Sequence, residues 1–92
     1  MESWDEVIDE LHRIQDLQND WDGLGGLAPT PSLAAHAIEL AGQLRDAKYS
    51  PPTWAAVNTN GVICFEWMSP LGYWVLEITS LNEFEYYFCP LV

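Results

Sequence analysis

The spacing of apolar residues changes once along this chain of 92 residues, at the pair Pro51-Pro52. Before the prolines, apolar residues recur at the three- and four-residue spacing of amphipathic helices. After them, apolar and polar residues alternate, as in strands that bury one face. Because a proline pair ends a helix, this change of period predicts helices in the first half of the chain and a sheet in the second.

The first helix is predicted over residues 3–18. Ser3 and Glu6 have the spacing of a capping box, in which each side chain bonds a free backbone N–H at the helix start. The apolar side of this helix carries Trp4, Val7, Ile8, Leu11 and Ile14. Its other side is acidic, and the early carboxylates suit the positive end of the helix dipole.

A loop and a second helix follow. Residues 19–29, which we name the glycine loop, contain three glycines within four positions, and a helix does not sustain such a run. Thr30 then fits an N-cap and Pro31 the first helical position, where the missing N–H has no cost. This second helix is predicted to end near Lys48.

Four strands are predicted over residues 53–57, 62–67, 73–79 and 84–89, joined by short connectors into an antiparallel meander. Alternation places these side chains on the side expected to receive the helices: Ile63, Phe65, Trp67, Trp74, Leu76, Ile78, Phe84, Tyr86 and Phe88. The predicted fold class is α+β, with two N-terminal helices packed on one face of a four-stranded antiparallel meander sheet (ααββββ). We expect a single domain over residues 1–92.

Charge excludes several classes of partner. Fourteen acidic and three basic residues give a net charge of −11 at pH 7. This charge repels the phosphates of DNA and RNA and the anionic head groups of membranes, so we expect direct binding to neither. The five tryptophans, four tyrosines and three phenylalanines supply more surface for burial than disordered segments carry, so the chain is expected to fold.

The chain shows no targeting pattern. No basic segment followed by an apolar one occurs at its start, and no apolar run reaches the roughly 18 residues of a membrane span. We therefore expect a cytoplasmic protein of a bacterial host. Cys64 and Cys89 are too few for a disulfide scaffold, and in a meander one strand separates them, so we expect free thiols.

Two parts of the chain resemble a group of small bacterial and phage-borne proteins. The group is marked by an Asn-Trp-Asp-Gly-x-Gly-Ala loop before a helix and by Gly-x-Ile-x-Leu-Glu-Trp in a strand. The corresponding stretches are Asp20-Trp21-Asp22-Gly23-Leu24-Gly25-Gly26, Pro29-Thr30-Pro31-Ser32 and Gly61-Val62-Ile63-Cys64-Phe65-Glu66-Trp67. Asp20 stands where the group has asparagine, and Gly26-Leu27 are inserted before the alanine. The group has no assigned activity, so the resemblance implies a fold and leaves the function open.

No catalytic residue, metal site or cofactor is predicted. The glycine loop lacks most of the oxygen ligands that an EF-hand calcium loop requires. His12 and His36 are the only imidazoles, both fall on polar helix sides, and no nucleophile motif accompanies them. Glu66, Glu77 and Glu85 lie on an open sheet face, which offers no cleft to separate the pKa values of an acid and a base.

The distribution of acidic residues indicates two candidate binding surfaces. On the first helix, carboxylates four residues apart are about 5 to 6 Å from each other, comparable to neighbouring phosphates of a nucleic-acid strand. This first surface comprises Asp5, Glu6, Asp9, Glu10 and Asp16, continued by Asp20 and Asp22 in the glycine loop. The second comprises Glu66, Tyr73, Glu77, Glu85 and Tyr87, on the sheet side away from the helices.

The sequence therefore favours a non-enzymatic acidic inhibitor of the phage anti-defence, anti-CRISPR type, a class named by analogy. It is expected to bind a basic nucleic-acid-binding protein, such as a CRISPR effector subunit, and to block the DNA or RNA site by charge mimicry. Two alternatives stay open. One is an antitoxin-like or accessory module that binds a protein through apolar and tyrosine contacts. The other is a small-molecule-binding or enzymatic role at Trp21 in the glycine loop. The strand edges at residues 53–57 and 84–89 can also pair across a twofold axis to form a homodimer.

Overall fold

Two helices precede four strands along the chain. The computed structural model describes residues 3–91, so Met1, Glu2 and Val92 of the predicted domain lie outside the described residues. The elements are α1 (Trp4–Gln15), α2 (Pro31–Asp46), β1 (Trp54–Val57), β2 (Ile63–Ser69), β3 (Gly72–Ile78) and β4 (Phe84–Pro90). Their order confirms the predicted α+β class.

α1 begins where its capping sequence predicts. The Ser3 hydroxyl accepts a hydrogen bond from the backbone N–H of Glu6 at 3.1 Å. The helix buries Trp4, Val7, Leu11 and Ile14. It ends at Gln15, three residues before the predicted end, because the Asp16 N–H bonds the Arg13 carbonyl oxygen and closes the last turn more tightly.

α2 is capped by Thr30, whose hydroxyl accepts from the backbone N–H of Leu33 at 3.1 Å. After the helix, Lys48 takes a left-handed φ of 68° and the Tyr49 N–H bonds the Leu44 carbonyl oxygen at 3.1 Å. Small side chains on the buried side allow a close approach to α1: Ala34, Ala37 and Ala41. Neither helix within residues 3–91 combines the length and the apolar character needed to cross a lipid bilayer.

The strands form one antiparallel sheet in the order β1-β2-β3-β4, which is the predicted meander. Side chains alternate between two faces. We call the face that contains Phe65 the core face; it carries Ile63, Phe65, Trp67, Trp74, Leu76, Ile78, Phe84, Tyr86 and Phe88. We call the other the acidic face; it carries Trp54, Cys64, Glu66, Tyr73, Val75, Glu77, Glu85, Tyr87 and Cys89.

One hydrophobic cluster contains residues of both helices and of β1, β2 and β3. Phe65 is fully buried in it and meets Trp4 edge to face, with ring centroids 6.0 Å apart. α1 packs against α2 and against β1. Among residues 3–91, no side chain of β4 belongs to this cluster.

The core face is only partly covered. Phe65 and Ile78 are buried, whereas Trp74, Phe84 and Tyr86 are exposed. The expectation that all alternating aromatic residues of this face receive the helices is therefore wrong for the β4 side of the sheet. The reason is the position of α1 against β1, because β4 lies three strands away, about 14 Å across the sheet.

Candidate functional site

An aromatic groove occupies the uncovered part of the core face. Its sheet side is formed by Trp67, Trp74, Leu76, Phe84 and Tyr86. Its other side is formed by Leu44, Tyr49 and Ser50, from the end of α2 and the segment that follows. The volume of about 580 Å³ lies within the range of ligand-binding pockets, about 300–1,000 Å³.

Two indole N–H groups hold the wall of the aromatic groove at residues 49–50. Trp4 Nε1 donates to the Tyr49 carbonyl oxygen at 2.7 Å. Trp67 Nε1 donates to the Ser50 carbonyl oxygen at 2.9 Å. Each such bond contributes about 1 kcal/mol. Because Trp4 is itself buried in the hydrophobic cluster, this wall is fixed to the core of the protein.

The rings of the groove also support one another. Trp74 and Tyr86 are stacked, with centroids 5.2 Å apart and 13° between their planes. Trp67 meets Tyr86 edge to face at 6.4 Å, and Phe88 lies 5.0 Å from Trp74. Phe65, edge to face with Trp67 at 6.4 Å, connects these rings to the core. Side chains held in this way lose little conformational freedom when a partner binds.

The five sheet residues predicted as a binding surface do lie on one face. The strand register places Glu77 directly opposite Glu85, and it places Val75 between Glu66 and Tyr87. The Tyr87 hydroxyl donates to a carboxylate oxygen of Glu77, and this bond raises the pKa of Tyr87. Within the described part of the chain, neither Glu77 nor Glu85 forms an ion pair.

Part of the acidic face is buried, at Cys64 and Val75. Cys64 is buried, and this burial, with the nearby Glu77 and Glu66 carboxylates, raises the pKa of its thiol to about 11. Interaction with Cys89 is the main cause of a raised pKa at Tyr73. Both cysteines are free, as predicted.

The acidic side of α1 is partly neutralised. Arg13 hydrogen-bonds Glu10, which lowers the pKa of Glu10 and raises that of Arg13. Arg45 of α2 lies 3.2 Å from Asp5, in an exposed ion pair. The other acids predicted on this surface are exposed: Glu6, Asp9 and Asp16. The row of carboxylates is present, but Glu10 and Asp5 each have a cation beside them.

The glycine loop uses its carboxylates to bond its own backbone. Asp22 Oδ1 accepts from the N–H groups of Leu24 and Gly26, at 2.9 and 2.8 Å, and these bonds lower the pKa of Asp22. Asp20 Oδ1 accepts from the Gly25 N–H at 2.8 Å. These carboxylates therefore shape the loop, whatever else they bind.

A second depression, of about 760 Å³, borders the glycine loop and the start of α2. It is lined by residues 17–19, 27–33, 60–61 and 79–81. Trp21, Asp22 and Glu66 line neither this depression nor the aromatic groove. Residues 3–91 contain no group of three or more His, Cys, Asp or Glu side chains arranged to hold a metal ion.

Sequence reasoning missed the aromatic groove because it assigned these rings to the core. One signal was available. Residues 84–88 contain four aromatic residues in five positions and form the last strand of a meander, which is an edge. β4 carries rings on both faces, and α1, which packs against β1 at the other edge of the sheet, does not cover them.

No protein-family profile, curated protein or solved structure matches this chain. The resemblance of residues 20–26, 29–32 and 61–67 to small bacterial and phage proteins therefore stays a prediction. The surfaces of the molecule itself are the basis for a functional assignment.

Proposed function

We propose that this protein is a non-enzymatic binding module that recognises a basic protein through the aromatic groove. The observation that carries the proposal is the exposure of adjoining rings: Trp74 is 42% exposed, Tyr86 58% and Phe84 67%. Single exposed apolar residues are common on protein surfaces, but a contiguous patch marks an interaction site. Tryptophan and tyrosine are also enriched among the residues that dominate binding energy.

The net charge of −11 supports a basic partner. Opposite charge accelerates association and disfavours acidic competitors. We therefore propose that the partner carries cationic side chains beside the apolar side chains that contact the rings of the groove.

The proposal includes the architecture around the groove. We propose that both helices pack on the core face. Their residues share one hydrophobic cluster with residues of β2 and β3, which supports this arrangement. The proposal also takes residues 1–92 to be one domain that acts in a bacterial cytoplasm. In this form the protein is an accessory or antitoxin-like module whose acidity increases the rate of binding.

Paired surface variants test the proposal. Phe84→Ser with Tyr86→Ser removes two exposed groove rings, while the control Leu24→Ser changes an apolar residue of the glycine loop that is 88% exposed. The wild-type protein and both variants are immobilised and incubated with bacterial lysate, and captured proteins are quantified by mass spectrometry. We expect the groove variant to lose basic proteins that the wild type and the control retain. Equal capture by all three would refute the groove as the binding site.

A second candidate function rests on the exposed acids of α1. In this version the protein is a phage anti-defence inhibitor of the anti-CRISPR type, and α1 occupies the nucleic-acid site of a CRISPR effector subunit by charge mimicry. The triple variant Asp5→Ala, Asp9→Ala, Glu10→Ala then loses the ability to displace nucleic acid, and its binding depends less on salt. If the groove is the principal contact, the triple variant retains binding and mainly associates more slowly.

A further inference from the structure

β4 is an edge of the sheet and, within residues 3–91, pairs only with β3. The Leu91 N–H donates to the Leu71 carbonyl oxygen, on the side of β3. Because backbone groups alternate in direction along a strand, the N–H and C=O groups of Phe84, Tyr86 and Phe88 point away from β3. These three residues present unpaired donors and acceptors along the edge.

The same three residues carry exposed rings on the core face, so the hydrogen-bonding edge is continuous with the aromatic groove. Proteins commonly block such edges with lysine, with proline or with a covering element. β4 contains no lysine or arginine, and its proline, Pro90, stands at its last position. The edge therefore remains open from Phe84 to Phe88.

We infer that an extended segment of the basic partner adds to the sheet as a fifth strand, antiparallel to β4; this inference rests on the proposed function. Strand addition supplies main-chain hydrogen bonds for affinity and alternating side-chain positions for specificity. Partner residues opposite Phe84, Tyr86 and Phe88 lie on the core face, beside the rings. Apolar side chains fit these positions.

The acidic face selects cations at the intervening positions of the partner segment. Glu77 and Glu85 are directly opposite each other, and like charges in such a pair repel. Neither forms an ion pair within the described chain. A lysine or arginine on the added strand lies beside Glu85 and offsets this repulsion. The recognised segment thus alternates apolar and basic residues.

A second copy of this chain does not provide such a segment. Its own β4 carries Glu85 and no basic residue. Each copy also has a net charge of −11, so the two repel each other. Sedimentation of the purified protein is therefore expected to show a monomer, and a stable dimer that dissociates on Tyr86→Pro would overturn the inference.

The principal test uses the synthetic peptide acetyl-Lys-Val-Lys-Val-Lys-Val-Lys-amide, with binding followed by tryptophan fluorescence. Two derivatives carry three N-methyl groups each, one on the three valines and the other on the last three of the four lysines. In an antiparallel pair the valine N–H groups face β4, so the first derivative is expected to bind at least about tenfold more weakly than the parent peptide. The second is expected to bind within about twofold of it. Three results would each overturn the inference. The parent peptide does not bind at millimolar concentration, the two derivatives bind with equal affinity, or only the derivative methylated on its lysines loses affinity.

Two variants separate this inference from the proposed function. If the groove binds the peptide without strand pairing, Phe84→Ser with Tyr86→Ser weakens binding while both N-methylated peptides bind alike. If the groove itself is not a site, that variant binds the parent peptide as the wild type does.

Glu85→Gln provides a charge readout. It removes the repulsion with Glu77, so the free protein is expected to become slightly more stable while the lysine peptide binds about threefold or more weakly. The matched control Glu39→Gln, on the exposed side of α2, leaves peptide affinity unchanged. Unchanged affinity in Glu85→Gln contradicts the predicted pairing of partner cations with the acidic face.

Discussion

Phe65 of β2 and Tyr86 of β4 occupy the same row of the core face, with Leu76 of β3 between them. Phe65 is completely buried beside Trp4 of α1, whereas Tyr86 is 58% exposed in the aromatic groove. Both are aromatic residues at alternating strand positions. The difference comes from coverage, because α1 packs against β1, at the far edge from β4. The β1–β2 side of this face belongs to the core, whereas the rings of β4 are left exposed, and we propose that they bind a partner.

The strongest test of this comparison replaces each residue of the row by alanine. Phe65→Ala is expected to lower the free energy of unfolding by about 3–5 kcal/mol, since it leaves a cavity in the core. Tyr86→Ala removes only its ring contacts with Trp74 and Trp67 and is expected to cost about 1 kcal/mol. Urea unfolding followed by circular dichroism measures both. Similar losses for the two variants would show that β4 belongs to the core after all.

Much of the fold could be predicted because its signals are local. Ser3 and Thr30 cap the helices they precede, and both caps need only the next three residues of the chain. Period-two alternation also places Glu66, Glu77 and Glu85 correctly on one face, because each strand keeps its register. These features depend on neighbours in sequence or on a regular repeat.

The groove could not be predicted in the same way. Alternation assigns Phe84 and Tyr86 to the core face but does not say where α1 lies over the sheet. That position follows from the packing of α1 against β1 and of three alanines of α2 against α1, which no local pattern encodes.

At one end of the sheet, the first residue of β3, Gly72, pairs with the last residue of β4, Pro90. Gly72 has a φ of 156°, and a methyl group there would meet the Cys89 carbonyl oxygen and the Phe88 ring. Gly72→Ala is therefore expected to destabilise the protein by about 1–3 kcal/mol and to disturb the rings next to the groove. Thermal unfolding and near-ultraviolet circular dichroism report the two effects.

The control for this prediction is a partly exposed glycine of α2. Gly42, within α2, has its nearest neighbour 3.9 Å from the position of an added methyl group. Gly42→Ala is expected to stabilise the protein by up to about 1 kcal/mol, because alanine favours helix. If the stability change is negative for Gly72→Ala and positive for Gly42→Ala, the destabilisation at Gly72 comes from the close contact between strands. It does not come from the loss of a glycine as such.

The last prediction concerns thiol reactivity rather than stability. It compares Cys64 of β2 with Cys89 of β4, which both lie on the acidic face. Cys64 is buried, and a pKa of about 11 leaves roughly one thousandth of its thiol ionised at pH 8. Cys89, on the edge strand, is partly exposed. Iodoacetamide at pH 8 should therefore modify Cys89 well before Cys64, and the variants Cys64→Ser and Cys89→Ser assign the rates by mass spectrometry. In urea both thiols should react alike, because unfolding removes the burial that protects Cys64. Equal rates in the folded protein would mean that β2 is as open as β4 on this face, and the contrast between the covered and open sides of the sheet would then be confined to the core face.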